Sequence, residues 1–198
     1  ATVSPSRNYD DTDLIQAAID SGNIVNFSAI SKQVGVSHVT IKNYYQILED
    51  CLVAHRVDPI THSTRRKRLT RSSRYLLFDL GVRRLAAREG PRPARDRLGP
   101  LFEQFVGLEL LRLCHLAPAP SRLQFWRDPD GPEVDWVLVQ GDRYTPIEVK
   151  WTDAPRAADA RLATPLIGSN AIRKPLHTEW AYRPEPWRMP LSPRGQAA

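Results

Sequence analysis

The run EVDWVLVQGDRYTPIEVKW, residues 133–151, narrows the possible folds more than any other part of the chain. Val134, Trp136 and Leu138 alternate with Asp135, Val137 and Val139, which is the period of a β-strand. Gly141-Asp142 suits a two-residue hairpin turn, so a second strand is predicted to run back over 144–151 with Gln140 facing Arg143. That register puts Asp135 directly opposite Glu148, with Lys150 two residues further along the same face. Opposed residues bring their Cβ atoms to roughly 4.5–5.5 Å, and opposed like charges destabilise a sheet.

A divalent cation relieves that conflict, because Mg²⁺, or Mn²⁺ in its place, takes one or two carboxylates and fills its shell with water. Asp135 and Glu148 are therefore the candidate metal ligands. A metal held this way polarises a phosphoryl oxygen and lowers the pKa of bound water. Lys150 beside it is the candidate catalytic lysine, able to orient or deprotonate that water. Glu103 lies between Phe102 and Phe105 in an amphipathic stretch, 100–116 (PLFEQFVGLELLRLCHL), and is a candidate further ligand or water anchor. The plainer alternative is a solvated hairpin face with a cross-strand ion pair, with Glu133 and Asp142 as surface charges and Trp136 and Trp151 as core.

Upstream, residues 1–9 are polar. Leu14, Ile15, Ala18 and Ile19 then fall at helical spacing until Ser21-Gly22-Asn23 stops them. A second helix, capped by Ser28 and carrying Ile30 and Val34, is predicted to end at Gly35. Ser37 opens a third, with Ile41, Tyr45 and Leu48 facing back onto the second. Two helices joined by so short a turn form a helix-turn-helix. Predicted strands 52–57 and 75–79 flank a basic loop and add a wing, and 80–87 reads as a short helix.

In DNA the third helix would enter the major groove with His38, Thr40, Lys42 and Asn43 foremost, while Arg65, Arg66, Lys67, Arg68, Arg71 and Arg74 of the wing track phosphates. The charge distribution agrees with a polyanionic partner: residues 1–99 hold 16 Lys/Arg against 10 Asp/Glu, and residues 100–198 hold 12 of each. A basic solvated surface, or a winged helix serving protein contacts, explains the same residues.

The Pro-, Gly- and Arg-rich stretch 89–99 is the predicted linker between a winged helix at 10–88 and a second domain at 100–190. Beyond the helix at 100–116, strands are predicted at 123–127, 134–139 and 144–151, and a helix at 155–167. Two cysteines without a CxxC spacing predict free thiols in a reducing cytoplasm. The five histidines show no ligand spacing. No apolar run reaches the about 18 residues of a membrane span, and no phosphate-binding G-x-x-x-x-G-K-[ST] loop is present, so no nucleotide site is expected here. The missing initiator Met suggests a processed product or a fragment.

A helical Glu103, then Asp135, then Glu148-Val149-Lys150 after a hairpin resembles the PD-(D/E)XK nuclease superfamily. The wider order is a helix-turn-helix with its wing, LGPLFEQFVGLELL, FWRD, EVDWVLV and PIEVK. It resembles the C-terminal region of prokaryotic AAA+ ATPases of the DUF4143 group over about residues 10–151. The resemblance implies an α/β (α+β) architecture: an N-terminal winged helix-turn-helix, then a restriction-endonuclease-like mixed β-sheet flanked by helices. It also implies Asp135 and Glu148 as metal ligands, Lys150 as catalytic lysine and Glu103 as the helical acid. The chain departs from that pattern in lacking the ATPase module, which would be a missing domain or partner. It departs again past residue 168, where no clear helix-strand pattern completes the core. The expected activity is Mg²⁺-dependent hydrolysis of a DNA phosphodiester. The alternatives are an inactive nuclease-like module that binds DNA or protein, and a winged-helix regulator. Oligomeric state is not legible.

Overall fold

The computed structural model describes residues 12–61, 72–128 and 133–152. The wing residues Arg65, Arg66, Lys67, Arg68 and Arg71, the predicted helix at 155–167 and the rest of the expected domain up to 190 lie outside the described residues.

Three helices open the chain: α1 (Thr12–Asp20), α2 (Phe27–Val34) and α3 (His38–Asp50). The cap of α2 is Asn26, not the expected Ser28, and its side chain accepts from the Ala29 amide at 3.0 Å. Gly35 ends α2, and the Ser37 hydroxyl accepts from the Thr40 amide at 3.1 Å to start α3. Ile30, Ile41 and Tyr45 are buried together with Ala17, Val25, Ala54 and Tyr75, so the expected inward face of α3 is the one that packs. Phe27, Tyr45 and Tyr75 meet edge to face with centroids 4.7–6.3 Å apart.

Strands β1 (Ala54–Pro59) and β2 (Arg74–Leu77) follow, then α4 (Leu80–Ala86), α5 (Arg95–Leu116), β3 (Arg122–Arg127), β4 (Glu133–Gln140) and β5 (Arg143–Ile147). Helix α5 begins five residues before the expected start at 100. Pro100 is its sixth residue, past the first turn, where proline lacks the donor for the Asp96 carbonyl and its ring crowds that oxygen.

The strands form one mixed sheet in the order β2-β1-β3-β4-β5, with β1 parallel to β3 and every other pair antiparallel. The expected separation into two modules is therefore crossed by a hydrogen-bonded ladder. Asp58 and Pro59 pair with Gln124 and Phe125, and the Ile60 amide donates to the Phe125 carbonyl at 2.8 Å. Residues 95–99 of the expected linker are helical, so the two halves share a sheet as well as a chain.

Successive strand residues alternate between faces, and β1 and β2 use both. Ala54 and Tyr75 belong to the α1–α3 core, while Val57 and Leu76 join Leu108 of α5, Leu123, Phe125 and Trp136 in a second core. A third cluster gathers Ile60, Trp126, Val134, Val137 and Val139.

The hairpin register agrees with expectation: Gln140 pairs with Arg143 across Gly141-Asp142, and Gly141 has φ 56°, a conformation glycine adopts without steric cost. Between β3 and β4 the register shifts, and the ladder passes from Gln124↔Val137 to Trp126↔Val134. This bulge sets two residues, Asp135 and Trp136, against Phe125, and bulges re-aim the side chains they carry. Val134 accordingly joins Val137 and Val139, whereas Trp136 faces α5.

Helix α5 lies close on Trp136 because residue 107 is glycine. A Cβ there would stand 2.6 Å from Trp136 Cζ2. Alanine in a helix interior ordinarily gains about 1 kcal/mol over glycine. Overpacking reverses the sign here, so Gly107→Ala is expected to lower stability by about 1–3 kcal/mol. Urea unfolding followed by Trp fluorescence measures it, and an unchanged or raised midpoint would show that α5 moves away at no cost.

Candidate functional site

The residues that sequence singles out for chemistry converge from three elements. Glu103 comes from α5, Asp135 from the bulge of β4, and Glu148 and Lys150 from the segment leaving β5. Glu103 is placed by its own backbone, whose carbonyl accepts the Trp136 indole N–H at 3.1 Å. Asp135 is 7% exposed. The hairpin ladder ends at Trp136↔Ile147, one pair short of the expected Asp135–Glu148 opposition. The Asp135 carboxylate accepts the Val149 amide at 2.8 Å instead, tying down the chain just past the strand. Glu148 accepts from Lys150 Nζ at 2.5 Å, and the lysine side chain is 46% exposed.

Arg74 has a different place from the one its sequence neighbours suggest. Grouped with the wing arginines, it was expected on phosphates; its side chain is in fact 5% exposed. Nη1 donates to Glu103 Oε1 at 2.6 Å and reaches the Asp135 carbonyl at 3.4 Å, while Nη2 lies 3.9 Å from Glu133 Oε2. The guanidinium carbon sits 4.7 Å from the Phe125 ring centroid and 5.3 Å from that of Trp136. A buried arginine must be paired, and these are its partners. Sequence reasoning missed this role because Arg74 closes a basic run. The one available signal was that it directly precedes the apolar strand residues Tyr75, Leu76 and Leu77.

The site carries four carboxylates, Glu103, Glu133, Asp135 and Glu148, against three cations in ion-pairing range, Arg74, Arg127 and Lys150. Burial raises the pKa of Glu103, and the charge of Asp135 adds to it against the pull of Arg74. Burial likewise raises Asp135, opposed by the Val149 amide, Lys150 and Arg74. Glu148 is raised by burial and by Asp135, with Lys150 opposing. All three acids therefore lie in one electrostatic neighbourhood, and burial is the first cause of each shift. Among the described residues no three His, Cys, Asp or Glu side chains group closely enough to hold a metal ion between them. Asp135 and Glu148, as hard oxygen donors, suit a Mg²⁺ or Mn²⁺ bound by two carboxylates with water completing the shell, not one in a closed cage.

On α3, His38, Lys42 and Asn43 are exposed. Thr40 is half-buried with its hydroxyl 2.8 Å from Ser37 Oγ, so it belongs to the helix cap. Val39 and Ile47, 53% and 55% exposed, give the outer side of the helix apolar content. Trp136 is core as expected, whereas Trp151 is half-exposed and rests edge-on against Phe102 at 5.3 Å.

Residues 98–171 match the family described as Domain of unknown function (DUF4143), which supports that family for the back half. Residues 14–92 match a separate family, Domain of unknown function (DUF8612). The junction of the two matches falls in the predicted linker at 89–99. The chain is 28% identical over 134 residues to the uncharacterized proteins Mb2031c of Mycobacterium bovis and Rv2008c of Mycobacterium tuberculosis. The matched region is 68% of this chain and 30% of each relative, so the chain spans about a third of their length. No solved structure matches significantly. Among the described residues no helix is long and apolar enough to cross a membrane.

The raised acids make a pH prediction. A carboxyl whose folded pKa exceeds its unfolded value binds more protons in the folded state, so its contribution to stability falls as pH rises between the two values. For Asp135 that window starts near the ordinary value of 3.8 and extends upward. Asp135→Asn removes the charge while its amide oxygen can still accept the Val149 amide. In EDTA, the variant's urea midpoint relative to wild type is expected to rise from pH 4 to pH 7. A relative midpoint that falls with pH would show that the carboxylate stabilises the fold.

Proposed function

We propose that this chain is a DNA-directed, nuclease-like part of a larger ATPase-type protein, with a winged helix in front of a PD-(D/E)XK-type core. The observation that carries the reading is the convergence of Glu103, Asp135, Glu148 and Lys150, 47 positions apart from first to last, in one half-buried acidic neighbourhood. Support also comes from the DUF4143 match over the same residues, and from relatives long enough to hold the ATPase module that the resemblance implies.

In this reading Asp135 and Glu148 hold Mg²⁺ or Mn²⁺. A metal bound there supplies Lewis acidity toward a phosphoryl oxygen and a more acidic water. Lys150 is exposed enough to meet a phosphate or water while its amine donates to Glu148, which keeps it at the acidic edge. Glu103, fixed by Arg74 at its carboxylate and by Trp136 at its carbonyl, is the candidate anchor for water. On α3, His38, Lys42 and Asn43 face the nucleic acid, with the basic stretch from Arg65 to Arg71 adding phosphate contacts.

A second reading has specific support. The Arg74–Glu103 ion pair and the Asp135–Val149 hydrogen bond occupy site acids with structural work, and Val39 and Ile47 make the outer side of α3 suited to a protein surface. Those features fit an inactive nuclease-like core that serves as a DNA- or protein-binding module.

Plasmid, linear and branched DNA incubated with the chain in Mg²⁺, Mn²⁺ or EDTA separates the two. Cleavage is expected only with metal, and Asp135→Ala and Lys150→Ala should each lower it by about 100-fold or more. No cleavage with either metal, or cleavage that survives both substitutions, leaves the binding-module reading.

A further inference from the structure

The cation inside the acidic neighbourhood belongs to the other half of the chain. Arg74 leaves β2, next to Tyr75 of the α1–α3 core, and its guanidinium contacts are made to α5 and β4. Its guanidinium carbon lies over the rings of Phe125 and Trp136, and Nε finds no hydrogen-bond partner among the described residues. The side chain is thus held for where its two terminal nitrogens reach. Those nitrogens stand between Glu103, Glu133 and the backbone of Asp135.

We infer that Arg74 is a positioning residue of the acidic site: it is a buried counter-cation, it aims Glu103, and it weakens the site's hold on a divalent ion. This rests on the reading of Asp135 and Glu148 as metal ligands. A dication on the Asp135 carboxylate would be repelled by the guanidinium, whose charge already acts on that carboxyl and whose Nη1 lies 3.4 Å from the backbone carbonyl of the same residue. Arg74 also holds Glu103 by an ion pair that a metal-bound water would have to share. Removing the guanidinium charge therefore frees an acid and removes a repulsion, and both changes favour the ion. Lysine in its place keeps a charge but is a point donor without the fork, so it holds Glu103 less well.

The test is Mn²⁺ binding by the purified chain, read from the loss of the free-ion EPR signal, for wild type, Arg74→Gln, Arg74→Lys and Asp135→Asn. Arg74→Gln is expected to bind Mn²⁺ about tenfold more tightly than wild type and Arg74→Lys about threefold, with binding lost in Asp135→Asn. Should Arg74→Gln lose its far-UV circular dichroism, the lysine variant decides alone. Equal dissociation constants in wild type and the folded Arg74 variants overturn the inference and leave the metal reading standing. No Mn²⁺ binding by any of them overturns both. Tighter binding that persists when Asp135→Asn is combined with the Arg74 substitution places the ion elsewhere and overturns the inference.

Discussion

A guanidinium taken out of water has to be surrounded by oxygen, and the path of Arg74 makes that requirement a constraint on the whole sheet. The residue starts β2 beside the α1–α3 core, yet the oxygens it reaches belong to Glu103 on α5 and to Glu133 and Asp135 on β4. Separating the front half from the back half would break the ion pair that lets the Arg74 charge stay buried in the fold. The parallel ladder between β1 and β3 makes the same join through the backbone. Two regions matching different families are in this way bound into one sheet.

The same join sets the local chemistry. The bulge turns Asp135 out of the ordinary pairing, and its carboxylate takes up the Val149 amide where the hairpin ladder ends. Trp136, next in sequence, fills the space left by Gly107 and accepts the role of a ruler for Glu103 through its indole N–H. The acids are thus placed by different partners, Glu103 by Arg74, Asp135 by the Val149 amide and Glu148 by Lys150, while burial raises the pKa of all three. An arrangement held against its own electrostatics has a use for positive charge, whether from an ion, a substrate-side group or Arg74.

Much of this was legible beforehand. Helices α1 to α4, the inward faces of Ile41 and Tyr45, the hairpin turn at Gly141 and the identity of the acids follow from periodicity and turn chemistry, which are local. Three features were misplaced for non-local reasons. The cap at Asn26 lies two residues before the equally competent Ser28, and only the helix geometry chooses between them. The last hairpin pair is lost because a bulge against β3, a strand outside the hairpin, diverts Asp135. Arg74 reads as one more basic residue in a basic run.

What the amino-acid order determined alone is the list of parts: where the chain turns, which faces are apolar, and which acids and lysine are near enough in register to meet. Tertiary structure decided how those parts are shared, by running one sheet through both halves and by burying an arginine of the first half among the acids of the second. The reason is physical. Turn preference and periodicity act over a few residues, whereas the partner of a buried charge is chosen by whatever the fold brings within hydrogen-bond reach, and for Arg74 that is Glu103, 29 residues away.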